Sequence, residues 1–330
     1  MKKVNIILPV YNEAEIIEEF NCELFKVLDE LSNSYEFEVK YVVDKCRDNT
    51  LKILETLASK NDRIVLIGLS KRFGHQMSLV AGIDDCDSSC DAAIMMDCDL
   101  EHPPKVIKEL LAKYEEGFDV VNTERIYNEK VSFIKRTTSK LFYKVLNWLS
   151  EDSFKEGAAD FRLISNKVIK VFKQDIREHN QFLRGLFQWV GFEQAYVVFK
   201  SETRTKGSSK YSIKRLIRFA SNGVISFSKT PLKVSIYIGS ILSCLSIIYG
   251  IYSIISYLIY DTHIQGWAST ISLLSFIGGV QLIVLGIIGE YIGEIFDEVK
   301  KRPLYIIEKR VDNKSLMKKN NMLKDDLGNE

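Results

Sequence analysis

From Val234 to Tyr260, and again from Thr262 to Gly289, no side chain carries a formal charge. A helix rises ~1.5 Å per residue, so two such runs each reach about 40 Å, more than the ~30 Å of bilayer hydrocarbon. A buried hairpin of a soluble protein is the alternative, but soluble core helices seldom keep every face uncharged over that length. The pair therefore reads as two tilted membrane spans. Lys214, Arg215, Arg218, Lys229 and Lys233 precede the first, and Lys300, Lys301, Arg302, Lys309 and Arg310 follow the second. The connection Asp261–Trp267 has neither Lys nor Arg, so the positive-inside rule places both termini in the cytoplasm.

Before the first span, Ile213, Leu216, Ile217, Ala220, Val224 and Phe227 recur at helical spacing beside cations. This suits either an amphipathic helix lying at the membrane surface or one packed on protein. Gly289 and Gly293 make a Gly-x-x-x-Gly step that permits close helix contact, within the hairpin or in a homo-oligomer.

Elsewhere the chain is balanced, with 45 Lys+Arg against 44 Asp+Glu in 330 residues. That argues against a nucleic-acid-coating protein, which needs a basic excess. The 11% aromatic content argues against disorder. Six cysteines at 22, 46, 86, 90, 98 and 244 show no Cys-x-x-Cys pair and no nearby His at metal-ligand spacing, so they read as reduced thiols facing the cytosol. The start, Met1-Lys2-Lys3-Val4, develops no secretory apolar region, and the N-terminal domain is expected inside.

Apolar runs at 4–10, 37–43, 64–69, 92–96 and 118–121 read as strands. Helical patterns at 14–31, 49–59, 76–83 and 103–116 lie between them. That alternation predicts an α/β domain with a mostly parallel sheet, whose ligands bind beyond the carboxyl ends of the strands. Polar residues gather there: Tyr11-Asn12-Glu13, Asp44, Lys71-Arg72-Phe73-Gly74-His75 and Asp97-Cys98-Asp99. Neither Gly-x-Gly-x-x-Gly nor a Gly-Lys-Ser/Thr loop occurs, which disfavours dinucleotide and P-loop sites. Asp97 and Asp99, with Glu101 two residues on, can offer oxygens to one divalent ion that also holds a diphosphate, or can merely cap the next helix.

Taken together, Pro9-Val10-Tyr11-Asn12-Glu13, Phe73-Gly74-His75-Gln76, Asp97-Cys98-Asp99-Leu100-Glu101-His102-Pro103-Pro104, Ala159-Asp160-Phe161-Arg162-Leu163 and Gly207-Ser208-Ser209-Lys210-Tyr211 resemble glycosyltransferase family 2. More narrowly they resemble its polyisoprenyl-phosphate glycosyltransferases. The resemblance extends to Phe227-Ser228-x-x-Pro231-Leu232, the two spans and Gly289-Glu290-Tyr291-Ile292-Gly293. It implies a GT-A (Rossmann-like) catalytic domain at 1–211, an amphipathic juxtamembrane segment at 212–233, a transmembrane hairpin at 234–292 and a cytoplasmic tail at 293–330. The implied activity moves one sugar, with inversion, from a nucleotide diphosphate sugar to undecaprenyl phosphate at the bacterial inner membrane.

The resemblance also carries residue roles. Asp160 and Asp99 would be catalytic. Pro9, Tyr11, Glu13, Asp44, Asp97, Arg125, Arg204 and Lys210 would bind the donor and its phosphates, and Asp97, Asp99 and Glu101 would hold Mg²⁺ or Mn²⁺. Gln181-Phe182-Leu183-Arg184-Gly185 is similar to the Gln-x-x-Arg-Trp of processive relatives, with Gly185 in place of tryptophan, which suits a single addition. Where family members often read Val-Asp-Asp-Gly-Ser-x-Asp, this chain has Val42-Val43-Asp44-Lys45-Cys46-Arg47-Asp48. UDP-glucose is the donor expected from the resemblance. A processive polysaccharide synthase and a non-catalytic membrane scaffold are the competing readings.

Overall fold

A computed structural model describes residues 1–126, 158–200, 228–260 and 266–312. They fall into two compact units, one of 1–126, 158–200 and 303–312, the other of 228–260 and 266–302. Residues 212–227 of the expected juxtamembrane segment (212–233), together with Arg204, Lys210 and the 261–265 connection, lie outside the described residues.

The first unit is built on one sheet. Its strands are β1 (Lys2–Val10), β2 (Tyr35–Val43), β3 (Ile64–Leu69), β4 (Ala92–Met95), β5 (Val120–Ile126), β6 (Ala158–Ser165), β7 (Gln194–Lys200) and β8 (Ile307–Val311), in the order β7-β5-β6-β4-β1-β2-β3-β8. Pairs β1–β2, β1–β4, β2–β3 and β5–β7 are parallel, whereas β6 and β8 enter antiparallel to their neighbours. The expected parallel sheet is thus present in β1–β4, and the whole sheet is mixed. Residues 293–330, read as a tail, contain the end of the last helix and β8.

Helices α1 (Ile17–Glu30), α2 (Thr50–Lys60), α3 (His75–Asp84), α4 (Ile107–Glu115), α5 (Asn166–Gln174) and α6 (Leu183–Trp189) complete this unit. Helix α1 buries Ile17, Phe20, Leu24, Phe25 and Leu28, the stripe its spacing predicts. Helix α3 differs, with every residue from Ser78 to Ile83 buried, because it lies directly on β1. Gly82 makes that approach possible, since a Cβ there would sit 2.2 Å from Ile7 Cγ2.

Gly82→Ala therefore tests the packing. Alanine favours a helix by ~1 kcal/mol over glycine, but overpacking costs ~1–3 kcal/mol, and a 2.2 Å overlap on buried Ile7 makes the second effect win. The expected result is a thermal midpoint lowered by several degrees; an unchanged or raised midpoint would show that α3 moves off β1 without cost.

The second unit holds α7 (Thr230–Tyr260) and α8 (Trp267–Lys300). Thr230–Ser253 and Thr270–Lys300 are long and apolar enough to cross a membrane. Their apolar side chains stay outside, as with Ile236 at 67% and Leu282 at 71% exposure, which a soluble core helix would not show. Tyr291 Oη donates to the Ser228 carbonyl at 2.6 Å, tying α8 to the segment before α7. Lys301, at φ +48°, ends α8 just before Arg302-Pro303.

Candidate active site

The sheet delivers its polar residues to one edge. Parallel pairing aligns Val10 with Val43 and Ile7 with Met95, so the segments after β1, β2, β3 and β4 leave the sheet on the same side. Tyr11 lies under Arg72, whose guanidinium stands 4.0 Å from the ring centroid. Asn12 adopts φ +57°, a left-handed conformation asparagine tolerates. Its backbone N–H donates to Cys46 Sγ at 3.4 Å, and its Oδ1 accepts from the Arg47 N–H at 2.9 Å. The Glu13 N–H donates to Thr50 Oγ1, and Asp48 Oδ1 accepts from the Thr50 N–H and hydroxyl. The Lys45-Cys46 departure thus still closes the loop, with the thiol as an acceptor. Pro9 is a β1 residue paired with Val42.

Asp44, expected to bind the donor, is 3% exposed, and both its oxygens are engaged. Oδ1 accepts from the Phe73 N–H and Oδ2 from the Gly74 N–H, each at 2.9 Å. Gly74, at φ +97°, makes the turn that starts α3. Asp44 therefore fastens the loop that presents His75.

Antiparallel β6 brings Asp160 to the β4 end. Met95 pairs with Arg162, and carrying that register two residues further sets Asp160 opposite Asp97. His75 stands between them, with Nδ1 3.7 Å from Asp97 Oδ1 and Nε2 3.6 Å from Asp160 Oδ2. Desolvation alone would lower its pKa, but Asp97 and Asp160 raise it to about 9. Arg184, on α6, grips Asp160 with both ends of its fork: Nε to Oδ1 and Nη2 to Oδ2, each at 2.9 Å. Burial would raise the Asp160 pKa, yet Arg184 and His75 reverse this and hold the carboxyl well below the usual range. Arg162 stands 3.6 Å away on the other side. A carboxylate so surrounded by cations is a poor proton acceptor.

After β4 the chain turns sharply. Asp99 Oδ1 accepts from the Glu101 N–H at 3.1 Å, and Leu100 sits at φ +60°, a conformation that costs a side-chain-bearing residue ~1–2 kcal/mol. Buried His102 accepts the Asp97 N–H on Nδ1 at 3.0 Å and stacks on Phe161 of β6, pinning the turn to the sheet. Glu101 Oε2 accepts from Arg125 Nη1 at 2.8 Å, so the expected third oxygen donor and the expected phosphate-binding cation are paired with each other in this structure. Among the described residues no three His, Cys, Asp or Glu side chains are grouped to hold a metal. Asp97 and Asp99 nevertheless fit Mg²⁺ or Mn²⁺, since such ions take one or two carboxylates and complete their shell with water and substrate phosphate.

Neither Arg184 nor His75 is among the site residues that the resemblance implies, yet both meet Asp160 here. The Gln181–Arg184 motif was visible, but its partner, 24 positions upstream, was not. Gln76 adds a second link, its Oε1 accepting from the Leu183 N–H at 3.2 Å and joining the start of α3 to α6.

A Rossmann-like mixed sheet with a carboxylate turn after its fourth strand is an arrangement of the GT-A type. Residues 5–172 match glycosyl transferase family 2, and residues 230–295 match the GtrB C-terminal hairpin. The chain belongs to glycosyl transferase family 2 and is a glycosyltransferase. It is 40% identical to an uncharacterized glycosyltransferase of Synechocystis, over 92% of this chain and 94% of that one. It is 37% identical to the SfII prophage-derived bactoprenol glucosyl transferase of Shigella flexneri, over 93% and 98%. Glucosyl-3-phosphoglycerate synthase from Mycobacterium tuberculosis, solved with Mn²⁺, UDP and phosphoglyceric acid, resembles it at TM-score 0.47 and 14% identity, over 68% of this chain and 76% of that one.

Proposed function

We propose that this enzyme transfers one glucose, with inversion, from UDP-glucose to undecaprenyl phosphate at the cytoplasmic face of a bacterial inner membrane. The observation that carries this reading is the union, in one chain, of the Asp97/Asp99 carboxylate turn with two helices apolar enough to cross a bilayer. An isoprenoid tail leaves hydrocarbon only at great cost, so a transferase for such an acceptor must come to the membrane. The bactoprenol glucosyl transferase relative, matched over nearly its full length, supports the choice of acceptor and sugar.

The chemistry asks little of a base, because a lipid phosphate is already an anionic nucleophile at neutral pH. That agrees with an Asp160 locked to Arg184, whose part is to orient the site. Asp97 and Asp99 would hold Mg²⁺ or Mn²⁺, which supplies Lewis-acid neutralisation of the leaving diphosphate. Asp44 keeps the Phe73–Gly74 turn in place, and the Tyr11–Arg72 stack offers a flat face for the donor's base. Arg204 and Lys210 are proposed for the acceptor phosphate, and both termini are proposed to be cytoplasmic.

Purified protein supplied with radiolabelled UDP-glucose, other nucleotide sugars and undecaprenyl phosphate provides the test. The expected product is one labelled monosaccharide-lipid with UDP-glucose preferred. A growing polymer would replace the reading with processive synthesis, and no product from any donor would sink it in favour of a scaffold.

A further inference from the structure

We propose that Tyr305–Val311, the stretch that follows the second apolar helix, is a positioning element of the donor site. It holds the Ser70–Gly74 loop from the edge of the sheet. This deepens the proposed function and rests on that reading for the identity of the donor.

Neither family match, at 5–172 or 230–295, reaches this stretch. Strand β8 covers what would otherwise be the open edge of β3, with Leu66 opposite Val311 and Gly68 opposite Lys309. The register then slips between Gly68 and Leu69, a local irregularity of the kind that re-aims a strand beside a site. The next backbone bond is the Ser70 N–H to the Ile306 carbonyl at 2.9 Å. Immediately after Ser70 come Arg72, which lies on Tyr11, and the two amides that Asp44 binds. The loop is thus held from the sheet's interior by Asp44 and from its edge by Ile306.

Side chains repeat the arrangement. Glu308 accepts from Lys45 Nζ at 2.8 Å, one residue from Asp44. The Lys309 stem crosses Gly68, where a Cβ would stand 3.0 Å from its Cγ, and its ammonium pairs with Glu55 of α2. Tyr305 Oη donates to Asp84 at 2.7 Å, and Arg310 Nε to Asp85 at 3.0 Å. Asp84 and Asp85 end α3, the helix that begins at His75. The same seven residues therefore fix α3 at its far end and the loop that leads into its near end.

The full-length protein with Tyr305→Phe and Arg310→Ala together is the test. Hydrogen exchange at Ser70, Phe73 and Gly74 should quicken about tenfold, with β1 amides unchanged, since local opening draws on local contacts. UDP should bind about tenfold more weakly and KM for UDP-glucose should rise, while KM for undecaprenyl phosphate stays within about twofold, a split that general destabilisation would not give. Glu308→Lys should act in the same direction more weakly, with recovery in Lys45→Glu/Glu308→Lys, the reversed pair. Unchanged exchange at Phe73 and Gly74, or unchanged UDP affinity, overturns the proposal. If the wild-type protein transfers no sugar and binds no UDP, the functional reading fails separately, and the exchange comparison still decides whether the strand holds the loop.

Discussion

Arg184→Met should destabilise the protein by about 2–3 kcal/mol and lower kcat about a hundredfold. Asp160 is nine-tenths buried and receives both bonds of the Arg184 fork. Removing one partner of a buried pair costs ~3–5 kcal/mol because the other charge is left desolvated. The lower figure is expected here, since His75 and Arg162 stay within 3.6 Å of the carboxylate. Two controls separate charge from packing. Asp160→Asn/Arg184→Met should be more stable than Arg184→Met alone, because no orphaned anion remains. The second control is pH. Asp160 has a folded-state pKa held below its ordinary value, so it contributes stability above the unfolded carboxyl pKa and loses it as pH falls. Without Arg184 the carboxyl takes up a proton more readily, so the deficit should be largest at neutral pH and shrink below about pH 4. A deficit that stays constant to low pH, with a double variant no better than the single, would mean Arg184 acts through its packing.

What could be read in the sequence was whatever local pattern determines. Strands β1–β4 are apolar runs separated by helical periodicity, and they stand within two residues of where those runs placed them. Strands β6 and β8 carry no such pattern. Ala158–Ser165 buries Asp160 and Arg162, charges that ordinarily speak against a core strand, and they are tolerable because they face each other and because His75, Arg184 and Phe187 meet them from the neighbouring helices. Ile307–Val311 is three-fifths charged, and Glu308, Lys309 and Arg310 find partners more than two hundred residues away. The site divides in the same way. Asp97 and Asp99 follow from a strand ending in carboxylates. The pairing of Glu101 with Arg125, and the spending of Asp44 on two backbone amides, are decided by tertiary neighbours that no spacing reveals.

On the proposed reading, Asp97→Asn and Asp99→Asn should each lower kcat/KM by at least about a thousandfold, or about 4 kcal/mol of transition-state stabilisation. Asparagine keeps the shape and one oxygen of each side chain, so the loss reports charge. UDP binding should cease to tighten on addition of Mn²⁺, which calorimetry measures without turnover. Glu101→Gln is the discriminating companion, because Glu101 spends its carboxylate on Arg125 at 2.8 Å. Its expected loss is about tenfold, from a loosened Arg125, with the Mn²⁺-dependent tightening of UDP retained. If Glu101→Gln abolishes that tightening as Asp97→Asn does, Glu101 is an oxygen donor after all and its pair with Arg125 must open when the donor binds. If Asp97→Asn leaves the tightening intact, the carboxylate turn after β4 is not where the diphosphate is held.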